Sequence, residues 1–231
     1  MCAILSVLMI QAQGNISFRH LNTSQGLSYI GVNDMSIDQQ GNLWIGTDNG
    51  LNMFNGKTVD KFFATEHPQL QNDNIVHVTC DHQNRIWVLT GGGNTTIIDE
   101  KKKFHRLGLY EDNKFIKTRW IIKTQNDLLI LFTQKGHFIL PSDLDLLQMD
   151  SLRLDQLAPF TIAGFDSLQP KGYKQVFYYD KDCYLFVQEN IFYKVNYSTQ
   201  AVEGKFKLEH CTALVKWGNH ALWLMTGPKR K

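Results

Sequence analysis

The chain has 231 residues, 24 of them basic and 22 acidic, for a formal net charge of +2. So even a balance gives no electrostatic footprint for nucleic acid. With 43% hydrophobic and 12% aromatic residues, the chain is globular rather than disordered and long enough to bury a sizeable core.

The chain opens on Ala3-Ile4-Leu5-Ser6-Val7-Leu8-Met9-Ile10, followed by Gln11-Ala12-Gln13-Gly14. We read residues 1–14 as the apolar core of a secretory signal that lacks its basic n-region, with cleavage near Ala12 or Gln13. The run is too short to cross a membrane as a helix. A buried first strand is the competing reading. Ile16 to Leu21 alternates as a strand. From there a unit begins to repeat.

Gln40-Gly41-Asn42 suits a tight turn, because glycine takes positive φ without a Cβ clash. Leu43-Trp44-Ile45 is a short β-prone run, and Asn49-Gly50 signals a second hairpin before Leu51, Met53 and Phe54. Asp81 to Val88 repeats the pattern, placing Trp87 at a spacing of 43 from Trp44. The same step lands on Ile130. Later copies put the anchor at Phe186 and Trp223. A β-rich unit of about 40 to 45 residues is the sequence sign of a propeller blade.

In chain order, blade one has its inner strand over Val32 to Asp38. Its later strands follow at Leu43 to Thr47, Leu51 to Phe54 and Val59 to Phe63. Blade two runs from Ile75 to Leu107, and Gly91-Gly92-Gly93-Asn94 joins its second and third strands. A strand rather than a helix follows that glycine run, so it is a hairpin loop and not a phosphate cradle. Lys101-Lys102-Lys103, beside Asp99 and Glu100, is a solvated loop. Blade three spans Thr118 to Leu140. Residues 141–170 break the rhythm as an irregular insert, read as an outer strand plus a loop with one helical turn. Blade four covers Val176 to Val202, with Phe206 to Leu208 as its fourth strand, and a fifth blade starts near Cys211.

Phe18-x-x-Leu21, Gly26-Leu27-Ser28, Val32, Met35, Asp38, Gly41, Leu43-Trp44-Ile45-Gly46-Thr47 and Gly50-Leu51 closely resemble the two-component regulator propeller repeat. The first unit matches strongly, the second well, and the later ones by pattern. The resemblance implies an all-β fold: a β-propeller fragment of about four and a half four-stranded blades from a seven-bladed ring. It also implies a periplasmic sensor domain of a hybrid two-component system, over residues 15–231. The kinase, receiver and DNA-binding regions lie outside this sequence, and the membrane tether would come from a downstream region. The implied parent works as a homodimer and recognises an oligosaccharide. Half-blade termini of this kind would expose apolar surface and free strand edges.

The residue chemistry favours packing and binding over catalysis. Trp44, Trp87 and Trp223 sit mid-strand, where blades pack face to face, so core packing outweighs a ligand platform. Asp38, Asp81 and Asp180 precede turns, and each caps its own turn through its carboxylate. Ser36-x-Asp38-x-x-Gly41-x-x-Trp44 also resembles an Asp-box, which is itself structural. Cys2, Cys80, Cys183 and Cys211 form no CxxC and are read as separate buried thiols, with Cys183 at a turn position. His77 and His82 are the closest histidine pair and lack a third ligand at metal-like spacing. No nucleophile elbow or zincin motif occurs. No catalytic residue, metal or cofactor is therefore assigned.

Propeller ligands enter where loops converge on the channel. The loops before the inner strands supply Tyr29, Asn72, Asp73 and Asn74. Asn33, Val76 and Arg119 are repeat-equivalent. We take Tyr29, Asn33, Asn72, Asp73, Asn74 and Arg119 as the ligand-binding candidates; ordinary solvated loops are the alternative for each. A glycan-acting propeller enzyme, lyase-like or sialidase-like, and a protein-binding scaffold are the competing functions.

Overall fold

The computed structural model describes residues 20–124, 128–141, 144–163, 173–180, 183–188, 191–207, 211–217 and 221–226. The expected signal over 1–14, residues 16–19 of the first expected strand and the last five residues lie outside these. His20 and Leu21, the described remainder of that strand, are not in a strand.

Blade one is β1 (Val32–Ile37), β2 (Leu43–Thr47), β3 (Gly50–Phe54) and β4 (Val59–Phe62), in that spatial order. Blade two is β5 (Ile75–Cys80), β6 (Ile86–Thr90), β7 (Thr95–Ile98) and β8 (Phe104–Glu111), with β9 (Lys114–Phe115) paired to the far end of β8. Blade three is β10 (Thr118–Lys123), β11 (Leu129–Thr133) and β12 (Gly136–Leu140). Then come β13 (Ser151–Arg153) and β14 (Ala158–Pro159). Blade four is β15 (Tyr173–Asp180), β16 (Cys183–Gln188), β17 (Ile191–Asn196) and β18 (Ala201–Lys207). β19 (Cys211–Trp217) and β20 (Ala221–Thr226) begin a fifth. Among the described residues, no helix is long and apolar enough to cross a membrane.

A bulge marks every inner strand at one place, and it fixes the register. The pairing skips a residue between Val32 and Asp34, Ile75 and His77, Thr118 and Trp120, Tyr173 and Gln175, and Cys211 and Ala213. A bulge adds one unpaired residue and local twist. Aligned on it, Trp44, Trp87, Ile130 and Trp223 are equivalent, but the blade-four anchor is Leu185 and not Phe186. β16 begins sooner after β15 in sequence than β2, β6 or β11 does after its own inner strand, and β15 carries a second irregularity between Tyr178 and Asp180. Counting back from the turn therefore slips by one. For the same reason Cys183 begins a strand instead of lying in the turn. The fourth strand of blade four is also longer and earlier than expected, at Ala201–Lys207.

The anchors of the first three blades face the following blade. Trp44, Leu51, Met53 and Phe62 pack with Ile75, Val78 and Phe104. Trp87, Leu89 and Ile97 pack with Ile121, Leu129 and Leu131. Ile130 and Phe132 pack with Tyr184, Tyr193 and Val195. Trp44 and Trp87 are 3% and 0% exposed, so their indoles are core. On the other side of blade one, Ile30, Met35 and Ile37 are 74%, 57% and 65% exposed.

The turn aspartates do more than cap. Asp38 accepts from the backbone N–H of Gln40 and Asn42, from Asn42 Nδ2 and from Trp44 Nε1 at 2.9 Å. Asp81 accepts from Gln83 N, Arg85 N, Arg85 Nε at 2.6 Å and Trp87 Nε1 at 2.8 Å. Asp99, in the β7–β8 turn, accepts from Lys101 N, Lys103 N and His105 Nε2. Blade three shows the converse. The Ile130 side chain has no N–H to offer, and the carboxylate position is Thr124, whose hydroxyl accepts from Leu128 N.

Residues 141–170 depart most from expectation. Two 3-10 turns, Leu146–Gln148 and Leu154–Gln156, flank β13. β13 leaves blade three and pairs in parallel with β8 of blade two. Leu146, Leu152, Leu154 and Leu157 then seal the core between these two blades. Blade three is left with the two-residue β14 as its outer strand. Cys80 and Cys183 are buried on separate blades, and burial pushes the Cys80 thiol up to about 11.

These environments set a pH response. Burial pushes the His137 imidazole from 6.5 down to about 4. Its stabilising contribution is complete above 6.5 and is lost as pH falls towards 4, because the unfolded chain takes up the proton first. Burial alone would raise Asp38, but the Asn42, Trp44 and backbone hydrogen bonds outweigh it and hold the carboxyl below 3.8. Asp99 is lowered likewise, burial again being outweighed, here by His105 and backbone donors. Their contribution is lost below 3.8. Urea titrations should therefore show two acid steps, the first of up to about 3 kcal/mol. His137→Gln should abolish the first step and spare the second.

Candidate ligand site

The inner strands β1, β5 and β10 start at one end of the molecule, and their leading loops are tied down in the same way. Gly31 O accepts from Asp48 N, Asn74 O from Gly91 N and Lys117 O from Gln134 N, at 2.9 to 3.1 Å. Gly50 N donates to Asp73 O, and Thr118 N to Gly93 O, so the leading ends of β5 and β10 are also tied to the preceding blade. Glycine is required at Gly93, where φ is +81° and a Cβ would lie 2.6 Å from the Lys117 Cβ.

All six expected ligand residues lie at this end, in three loops or their bulges. Three have side chains engaged in holding it together. Asn33, the bulged residue of β1, donates to Asp48 Oδ1 and to Ile75 O, both at 2.9 Å. Asn72 Oδ1 accepts from Asn74 N, and Asp73 Oδ1 from Ala64 N at 2.6 Å. Tyr29, Asn74 and Arg119 remain exposed.

One residue further along each inner strand lies a row of Asp34, His77 and Trp120, none of them among the expected ligand residues. His77 Nδ1 lies 2.5 Å from Asp34 Oδ2, and its Nε2 lies 2.8 Å from Ile121 O. The imidazole therefore bridges β1 and β10. Asp34 Oδ2 also accepts from Val78 N at 3.0 Å. The Trp120 ring stacks on His77 with centroids 4.2 Å apart. These contacts join the inner strands of three blades. They line a concavity of about 610 Å³ whose far wall includes Tyr184, with its hydroxyl donating to Lys123 O. The signal was present: Asp34, His77 and Trp120 keep the 43-residue spacing. The repeat spacing holds equally for 33, 76 and 119 and for 34, 77 and 120, and only the bulge decides which set lines the wall.

A wall with one carboxylate, one imidazole and one indole can hydrogen-bond and stack on a polar organic molecule. Among the described residues, no three His, Cys, Asp or Glu are grouped to hold a metal.

These features define a β-propeller with a polar, aromatic inner wall. Residues 26–49 match the two component regulator propeller family. No curated protein matches the sequence. Among solved structures, the fold is similar to the extracellular domain of a hybrid two component system from B. thetaiotaomicron, with a TM-score of 0.61 and 17% identity over 90% of this chain and 29% of that one. It is similar to the extracellular domain of a one component system from the same organism, with a TM-score of 0.63 and 17% identity over 89% of this chain and 30% of that one. Virginiamycin B lyase from Staphylococcus aureus gives a TM-score of 0.55 at 12% identity over 85% of this chain and 63% of that one. The chain thus spans less than a third of the length of the first two structures. At these identities the likeness is one of fold.

Proposed function

We propose that this chain is part of the periplasmic, ligand-sensing propeller of a hybrid two-component regulator, and that it binds an oligosaccharide. The match of residues 26–49 to the two component regulator propeller family carries the proposal. Two extracellular sensor-system domains of the same fold support it. The ligand lies at the leading ends of the inner strands, against exposed Tyr29, Asn74 and Arg119 and above the row of Asp34, His77 and Trp120. Stacking on Trp120 suits a sugar face, and the amide, guanidinium and carboxylate groups suit its hydroxyls. In the parent, a ligand that binds one arrangement of a propeller homodimer better than another shifts the population and so signals. The chain itself performs no catalytic step.

Thermal shift against an oligosaccharide panel tests this reading, because a ligand that binds only the folded state raises the melting temperature. At least one oligosaccharide should raise it, and Arg119→Ala and Trp120→Ala should each reduce the shift. Turnover of a glycan, abolished by substituting a single acidic residue, would replace the sensor reading with an enzyme. Absence of any shift in a cooperatively melting protein would remove the ligand claim.

A further inference from the structure

The insert builds a second concavity, which shares no lining residue with the inner-wall concavity. It encloses about 740 Å³ between the β8–β9 hairpin, the β11–β12 turn and the insert. This is within the range of small-molecule pockets. Leu154 and Leu157, both buried, form part of its lining with Phe138 and Pro159. Tyr110 adds a positioned ring. A Cβ at Gly108 would lie 2.5 Å from Tyr110 Cε2, so the ring is folded over a backbone that only glycine leaves open. Phe115 meets it edge-on at 5.9 Å.

The rim is charged but nearly self-neutralising. Lys135 Nζ lies 2.8 Å from Glu111 Oε2, joining the blade-three turn to the blade-two hairpin. Arg153 pairs with Asp155 through both its Nε and its Nη2. Glu111 holds Lys135 above its ordinary range and Asp155 does the same for Arg153, with Asp112 at the hairpin tip adding to both. A phosphate or sulfate group would have to displace a carboxylate from each cation and would also face Asp112. A purely apolar ligand would leave the rim's donors and acceptors facing it unused. A neutral, hydroxyl-rich ring can lay its C–H face on Tyr110 while its hydroxyls bridge ion pairs that stay intact.

We propose that this groove is a second ligand site, separate from the inner wall, that takes a short neutral glycan. The probes are maltotriose, cellotriose and mannotriose, compared with sulfated and uronic-acid oligosaccharides of equal length, titrated into the 231-residue chain by calorimetry and saturation-transfer NMR. At least one neutral trisaccharide should bind. Tyr110→Ala should weaken it by about tenfold or more, and Tyr110→Phe should retain binding. Gly108→Ala, which displaces the ring without removing it, should act like Tyr110→Ala. In a Trp120→Ala background, which removes stacking at the inner wall, a neutral trisaccharide should still bind and Tyr110→Ala should still weaken it, which separates the groove from the inner-wall proposal. Circular dichroism melts identify any variant that fails to fold; should Gly108→Ala do so, Tyr110→Ala decides. The proposal is overturned if Tyr110→Ala binds as the wild type does, if the charged oligosaccharides bind more tightly, or if no neutral trisaccharide binds the folded chain.

Discussion

Replacing Asp81 with alanine should cost about 3 to 5 kcal/mol, as expected when one partner of a buried ion pair is removed. Asp81 is 0% exposed and accepts four hydrogen bonds within its own hairpin. Its loss strands the Arg85 guanidinium, which is only 7% exposed, together with the Trp87 indole N–H and two backbone donors. A buried donor left without a partner costs its full desolvation penalty. Urea unfolding followed by circular dichroism measures the loss. Arg85→Met in the alanine background should recover part of it by removing the stranded cation. A loss below about 1 kcal/mol, the scale of an exposed pair, would mean that the turn does not depend on this carboxylate.

Trp87→Ala should cost a similar amount, about 3 to 5 kcal/mol, for a different reason. The indole is fully buried between blades two and three, and its removal leaves a cavity that strands on both sides cannot collapse to fill. Trp87→Phe keeps most of the volume but loses the N–H to Asp81, so it should cost less than the alanine variant. Blade three shows what the pair becomes when both partners change, with Thr124 and Ile130 in the same places. The double variant Asp81→Thr, Trp87→Ile should therefore fall short of the sum of its single losses, since the two residues share one interaction. Strict additivity would contradict the coupling of anchor and turn.

The repeat itself was legible because its determinants are local. Asp38 and Trp44 lie six residues apart in one hairpin, as do Asp81 and Trp87, and a turn that needs Gly41 at φ +84° shows its glycine in the sequence. The period, the strands of blade one and the burial of the first two anchors follow from these. The indole-to-carboxylate bond was not foreseen, although the constant spacing of the two residues would have suggested it.

Sequential antiparallel blades are written into the chain order, because each strand pairs mainly with its neighbour across a short turn. Register and long-range pairing arise only in the folded chain. The bulges set the register of blade four and moved its anchor to Leu185, and they turned Asp34, His77 and Trp120 into one wall. The parallel pairing of β13 with β8 joined residues more than 40 apart in sequence and created the groove. Such contacts depend on which distant edge is free to pair and which apolar gap is left to fill. Neither property belongs to a local stretch of sequence, and the leucines of the insert acquire their role only when two finished blades leave a gap between them.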